Sequence, residues 1–258
     1  MNERTPSHLS PSSIKTFLSC PRKYRFRYVD RAEPAFRAVA LAVGSAFHDA
    51  IGHWLSALAL GHAIHRVAVQ EHFDAALKRQ IDRDGPPILF DDEETPEELA
   101  ERGRAMVTAF LESVPAPDEI MGIEVPFELE LVDPETGEVY PPIVGAVDAL
   151  VRRRRESELW ELKTAARRWS DDALVYDLQS TIYRTAMRFR FPSLEPVLIA
   201  VTKAERPQVQ VERLARGPSD ERDLVATTRG VTRAIEAGVD HPIRSWACKR
   251  CEYGGLCR

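Results

Sequence analysis

Apolar residues recur with helical spacing over most of the first 115 positions and then switch to strand alternation. Ser10-Pro11 opens a helix with a serine cap and a proline in its first turn, and Ile14, Phe17 and Leu18 give it one apolar face. Helical patterns follow at 42–60 and 64–81, and Gly85-Pro86-Pro87 ends that region. Thr95-Pro96-Glu97-Glu98 starts another helix as a capping box, running to about Val114. Beyond it, 124–132, 143–151 and 158–164 read as strands, with turns at 133–137 and 152–157. A helix at 171–190, a strongly apolar strand at 196–202, an edge strand at 208–213 and a helix at 219–237 complete the pattern. This order predicts an α/β core behind a helical lobe.

Composition narrows the class. The 258 residues are 44% hydrophobic and 29% charged, which excludes a disordered chain and suits one enlarged domain. No apolar run approaches the ~18–20 residues of a membrane span, and the N-terminus lacks an apolar signal core. These features predict a soluble cytoplasmic protein with no membrane partner. The net charge of −5 argues at first against nucleic acid, but it averages opposed patches. Residues 71–101 hold eleven acids against three cations. Residues 1–31, 152–168 and 241–258 each carry an excess of cations, and Tyr24, Phe26 and Tyr28 alternate with the first set. Cations interleaved with aromatics suit single-stranded nucleic acid, whose phosphates need charge and whose bases stack. Tyr24 and Phe26 are also expected to pack a cofactor.

All four cysteines fall at the termini. Cys248, Cys251 and Cys257 form C-x2-C-x5-C at one end, Cys20 lies near the other, and the 227 residues between Cys20 and Cys248 contain none. Reducing surroundings disfavour two disulfides, and a thiol pair two residues apart plus two more thiols is the usual supply for a four-thiolate metal site. Zinc and an iron–sulfur cluster both fit that ligand set. Either would staple the two ends of the chain together.

Two acids interrupt the strands. Asp148 lies in the apolar run Ile143–Val151, and Glu161-Leu162-Lys163 lies in the following strand. Alternation puts Glu161 and Lys163 on one face, and hairpin pairing lets Asp148 reach it. Adjacent buried carboxylates repel, and a hard divalent cation such as Mg²⁺ or Mn²⁺ resolves that repulsion. A neighbouring lysine then stabilises charge on a phosphate or orients a water. Glu124 begins a strand and could join the site. His53, His62, His65 and His72 carry no motif and read as surface or packing residues.

The arrangement Asp148…Glu161-Leu162-Lys163 resembles the signature of the PD-(D/E)XK nucleases, in particular the RecB-like branch. The opening LSPSSIKTFLSCPRKYRFRY, the segment GSAFHDAI with His48, and Gln179-S-T-I-Tyr183 resemble that branch's motifs in the same order. The cysteine tail with its lone upstream partner resembles the iron–sulfur staple of AddB-like and CRISPR-associated RecB-type exonucleases. The motifs span residues 8–257; valine stands where the family name has proline, before Asp148. The resemblance implies a restriction-endonuclease-like fold: a central mixed sheet flanked by helices, an N-terminal helical lobe and an iron–sulfur staple. It implies one nuclease domain over 1–258, with a lobe and cluster segment at 8–120, a core at 121–240 and a cysteine tail at 241–258.

Residue by residue, the resemblance implies His48, Asp148 and Glu161 as Mg²⁺ or Mn²⁺ ligands and Lys163 as the catalytic lysine. Gln179 and Tyr183, four apart on one helical face, become active-site and DNA-positioning groups. Cys20, Cys248, Cys251 and Cys257 become ligands of a [4Fe–4S] cluster, with zinc the alternative. The implied activity is a metal-dependent exonuclease on single-stranded DNA or DNA ends. No phosphate-binding loop of the G-x-x-x-x-G-K-[ST] type occurs, so a helicase partner would be a separate chain. The rival readings are a DNA-end-trimming endonuclease in a recombination or CRISPR-adaptation complex, and a non-catalytic DNA-binding scaffold.

Overall fold

A computed structural model describes residues 6–90 and 94–257. Part of the N-terminal segment, Asp91–Glu93 of the acidic stretch and the last tail cation lie outside the described residues. In chain order the elements begin with helices α1 (Pro11–Ser19) and α2 (Pro21–Tyr24), strand β1 (Arg37–Ala38), and helices α3 (Val39–Ala59) and α4 (Arg66–Asp82). Strand β2 (Ile88–Leu89), helix α5 (Pro96–Ser113) and strands β3 (Glu119–Leu129), β4 (Ile143–Arg153) and β5 (Glu156–Ala165) follow. Helices α6 (Asp171–Val175) and α7 (Leu178–Met187), strands β6 (Glu195–Thr202) and β7 (Val209–Arg213), and helix α8 (Pro218–Glu236) complete the chain. The chain forms two compact units. One comprises Met1–Phe36, Pro126–Gly145 and Arg216–Arg258, and the other Arg37–Val125 and Ala146–Ala215. They interleave along the chain, so each draws on more than one of the segments 8–120, 121–240 and 241–258.

Five strands form one mixed sheet in the order β3-β4-β5-β6-β7. The pairs β4–β5 and β6–β7 are antiparallel, and β5–β6 is parallel because the chain returns through α6 and α7. Strand β6 is buried on both faces, which explains its nearly unbroken apolar run. Val197, Ile199 and Val201 join the core under α3, α4 and α5, while Leu198 and Ala200 meet Leu174 and Leu214 on the other side. In the first core the Phe110 ring meets Phe47, Trp54 and Trp160 edge-on, with centroids 5.8, 5.9 and 6.4 Å away. Helices α4 and α5 approach closely because Gly103 has no side chain: a Cβ there would lie 2.0 Å from the buried Phe73 ring.

The expected single helix over 171–190 is two helices. Tyr176 leaves the helical path, and the Asp177 side chain accepts from Ser180 N to cap α7. The expected strand at 124–132 instead runs from Glu119 to Leu129. The capping box at Thr95 forms as anticipated, with Thr95 N donating to Glu98 and Glu98 N donating to Thr95.

In the first unit, Ser10 and Ser13 cap α1 reciprocally, and α2 continues into a π-helical turn at Arg25–Val29. That segment is tied to the chain's end by ion pairs from Arg22 and Arg25 to Asp240 and from Lys23 to Glu252. No described helix is long and apolar enough to cross a membrane.

Candidate active site

The second unit brings together every acidic and basic residue singled out in the strands. Paired register between β4 and β5 runs from Arg153–Glu156 to Ala149–Trp160. Ala149 and Trp160 face the core under α3, and Asp148 and Glu161 are the next residues beyond that last pair, at the end of the ladder. Just past the ladder, Leu162 N donates to Asp148 Oδ2 at 2.6 Å, a side-chain acceptor where a regular ladder would use a carbonyl. His48, on α3, places Nδ1 3.8 Å from Asp148 Oδ1. Glu124 completes the group: one ligand atom each from His48, Glu124 and Asp148 lie within 4.8 Å of one another. Its backbone is left-handed at φ 49°, uncommon for a residue inside a strand. Glu161 turns instead toward Lys163, whose Nζ is 2.8 Å from Oε1, and toward Ser180, whose hydroxyl lies 2.6 Å from Oε2.

Helix α7 supplies the next layer. Lys163 Nζ donates to Gln179 Oε1 at 3.1 Å, and Gln179 Nε2 donates to the Tyr183 hydroxyl at 2.6 Å. The chain Tyr183–Gln179–Lys163 therefore fixes where the ammonium points. Asp177 and Ser180 belong to this layer too, since the Ser180 hydroxyl also lies 2.8 Å from Asp177 Oδ2. Neither stands out in the sequence, because both sit inside one amphipathic pattern that runs across α6 and α7. The D-x-x-S spacing of a cap was the available signal.

Protonation follows from burial and neighbours. Burial lifts the Asp148 carboxyl from 3.8 to about 6, against the opposing pull of Lys163 and the Leu162 N–H. Burial, and then Asp148, push Glu124 up. Burial raises Glu161 as well, with Asp177 adding to the shift. Burial alone would lower Lys163, but Glu161, Asp148 and Asp177 outweigh it and hold the ammonium above its usual range. Burial and the Lys163 charge lower His48, leaving a neutral imidazole with a lone pair to offer. Burial, reinforced by Asp148 and Glu161, keeps the Tyr183 phenol protonated.

A divalent cation fits these residues. The nitrogen and oxygen donors of His48, Glu124 and Asp148 converge on one point, and three carboxyls are raised above their ordinary values. Glu161 Oε1 is buried and has no aligned hydrogen bond, because the 2.8 Å approach of Lys163 is an ion pair out of line for one. An open cavity of about 870 Å³ exposes His48, Glu124 and Lys163.

In the first unit, Cys20, Cys248, Cys251 and Cys257 line a single cavity of about 240 Å³, and all four are free thiols. Among the described residues, no three of their sulfurs lie within 4.8 Å of one another. Tetrahedral zinc, with Zn–S about 2.3 Å, would hold its sulfurs closer than that. Phe26 lines this cavity as expected, beside Tyr253 at 5.8 Å. Tyr24 does not: it is buried against Phe17 and Tyr28, so its face is closed to a stacking base.

Residues 8–258 match the model of the PD-(D/E)XK nuclease superfamily. No curated protein matches. Among solved structures, a presumed exonuclease of Eubacterium rectale aligns over 96% of this chain and 88% of its own, at 13% identity and a TM-score of 0.52. The protein SSO0001 aligns over 95% and 94%, at 17% identity and a TM-score of 0.37. The mixed five-stranded sheet with helices on both faces is the restriction-endonuclease-like arrangement, and the match over nearly the whole chain places this protein in the PD-(D/E)XK nuclease superfamily.

Proposed function

We propose that the protein is a metal-dependent deoxyribonuclease of the RecB-like branch, acting as an exonuclease on single-stranded DNA or DNA ends. The observation that carries this reading is the convergence of His48, Glu124 and Asp148 beside the Glu161–Lys163 pair. His48 and Asp148 hold Mg²⁺ or Mn²⁺ with Glu124, and Glu161 offers its unaligned oxygen from the adjoining strand. When bound, the cation supplies positive charge to a phosphodiester oxygen and acidifies a water. Lys163 stays cationic, so it stabilises phosphate charge and orients the water without serving as the base. Gln179 and Tyr183 hold that ammonium in line.

The four cysteines hold a [4Fe–4S] cluster, whose size suits thiols spaced more widely than one zinc ion allows. It is structural, and it secures residues 20–26 against the tail. Cytoplasmic thiols remain reduced and available for it. The likeness to a presumed exonuclease supports exonucleolytic action; a helicase, recombination or CRISPR-adaptation partner would supply the DNA end.

Digestion of end-labelled and internally labelled single- and double-stranded DNA with Mg²⁺ or Mn²⁺ tests the activity. The parent releases mononucleotides or short products from ends, and Asp148→Ala and Lys163→Ala release none. Equal cleavage by all three would end the assignment, and an inactive parent would favour the scaffold reading. Anaerobic purification tests the cluster: a brown protein that bleaches in Cys248→Ser supports iron–sulfur, and a colourless zinc-loaded protein rejects it.

A further inference from the structure

The cavity that exposes the proposed metal ligands is also lined by a pair of stacked histidines. His53 of α3 and His72 of α4 lie parallel, with ring centroids 4.2 Å apart and an interplanar angle of 5°. Both line the cavity that exposes His48, Glu124 and Lys163. His72 is pinned from behind, with Nε2 3.3 Å from Asp49 Oδ1, and Arg79 donates to Asp49 Oδ2 at 2.7 Å. The Asp49 carboxylate beside the stack is thus answered by a guanidinium. His53 is exposed, so the outer face of the stack is open.

Parallel rings direct their nitrogens in the ring planes, so the pair does not converge on an ion. A flat, exposed aromatic face beside a phosphate-cleaving centre instead suits a nucleobase. Along α3 the lining residues recur on one face from Ala40 to Ser56, a groove of about 24 Å at 1.5 Å per residue. Gly44, Ser45 and Gly52 keep its floor low. His53 is five residues from His48, about 7.5 Å along the axis, or roughly two stacked nucleotides at 3.4 Å each.

We infer that the His53–His72 stack is a base platform that holds a single strand by one of its nucleobases, close to the phosphate at His48, Glu124 and Asp148. This rests on the nuclease reading and adds the means by which the site prefers unpaired DNA: a base held in a duplex cannot lie on the platform.

The test measures binding of a fluorescein-labelled single-stranded oligonucleotide by anisotropy in Ca²⁺, and its cleavage in Mg²⁺. His53→Ala is expected to weaken binding roughly 5- to 150-fold, the range of one lost base stack, with the cleavage defect falling on KM. His53→Phe keeps a flat face and should restore binding. A strand made abasic at successive positions should lose affinity for the parent at one position and lose none further for His53→Ala. Equal loss in His53→Phe and His53→Ala would overturn the platform, as would abasic and alanine penalties that simply add. A parent that neither binds nor cleaves DNA would sink the nuclease reading itself. Cleavage by the parent with unchanged KM in His53→Ala would sink this inference alone.

Discussion

Replacing Asp148 with asparagine removes a charge that the fold holds at a cost. The side chain is 11% exposed, and burial lifts its pKa from 3.8 to about 6. A folded-state value above the unfolded one means that the folded chain binds the proton more tightly. The stability this proton contributes is complete below about pH 4 and is lost as pH rises through about 6. At neutral pH the shift of about two units costs about 3 kcal/mol, at 1.36 kcal/mol per unit. Asparagine has no charge to desolvate, and its amide oxygen still accepts from Leu162 N. Lys163 loses one of its carboxylate neighbours, which offsets part of the gain. Asp148→Asn should therefore stabilise the metal-free protein by about 1–3 kcal/mol at pH 7.5, or 2–4 °C in Tm for each kcal/mol. Thermal and urea unfolding in EDTA at pH 7.5 and pH 4 measure it, and the advantage should vanish at the lower pH. Added Mn²⁺ should reverse the order by stabilising the parent far more than the variant. A variant no more stable than the parent at pH 7.5, or an advantage undiminished at pH 4, would refute the reasoning.

Three further outcomes follow from particular contacts. Arg154 and Arg155 form the two-residue turn between β4 and β5 with φ of 50° and 72°, a conformation that Asn-Gly adopts without strain. Exchanging them for Asn-Gly should raise stability by about 1–3 kcal/mol in urea unfolding, and an unchanged midpoint would show that the turn carries no such strain. Gly103→Ala gains about 1 kcal/mol of helix propensity, but its methyl meets a fully buried ring at 2.0 Å, so net destabilisation of about 1–3 kcal/mol is expected in the same assay. Glu124→Gln should weaken Mn²⁺ binding in calorimetry by at least the roughly 10–100-fold that loss of an outer-sphere partner costs, and undiminished affinity would remove Glu124 from the site.

What could be read in the sequence was what local periodicity encodes. The Thr95 capping box, the buried run of β6 and the shared face of Glu161 and Lys163 depend on neighbours a few residues apart. They appear where spacing placed them. The break between α6 and α7 was hidden because both halves share one amphipathic pattern and only the Asp177 cap marks the join. Strands β1 and β2, two residues each, are too short to generate a period. Glu124 was visible only as an acid near a strand's start. Its approach to His48 crosses 76 positions and depends on a left-handed backbone that no pattern announces. His53 and His72 meet for a similar reason: they belong to different helices, and only the packing of α3 on α4 brings their rings together.

The site's charges also divide into two groups with different needs. The Ser180 hydroxyl has one hydrogen and lies within 2.8 Å of both Glu161 and Asp177, so it cannot donate to both at once. That arrangement favours a proton or a cation nearby, and the Lys163 ammonium is the cation that the fold supplies, 2.8 Å from Glu161. Glu161 and Asp177 are thereby occupied in holding Lys163 cationic. Among the described residues, Asp148 and Glu124 have no such cation of their own: Lys163 offsets only part of the burial shift on Asp148, and His48 beside them is held neutral. Their repulsion is relieved by protonation at low pH or by a divalent ion at neutral pH. The same burial that makes Asp148 costly in the empty protein thus makes it selective for a doubly charged occupant.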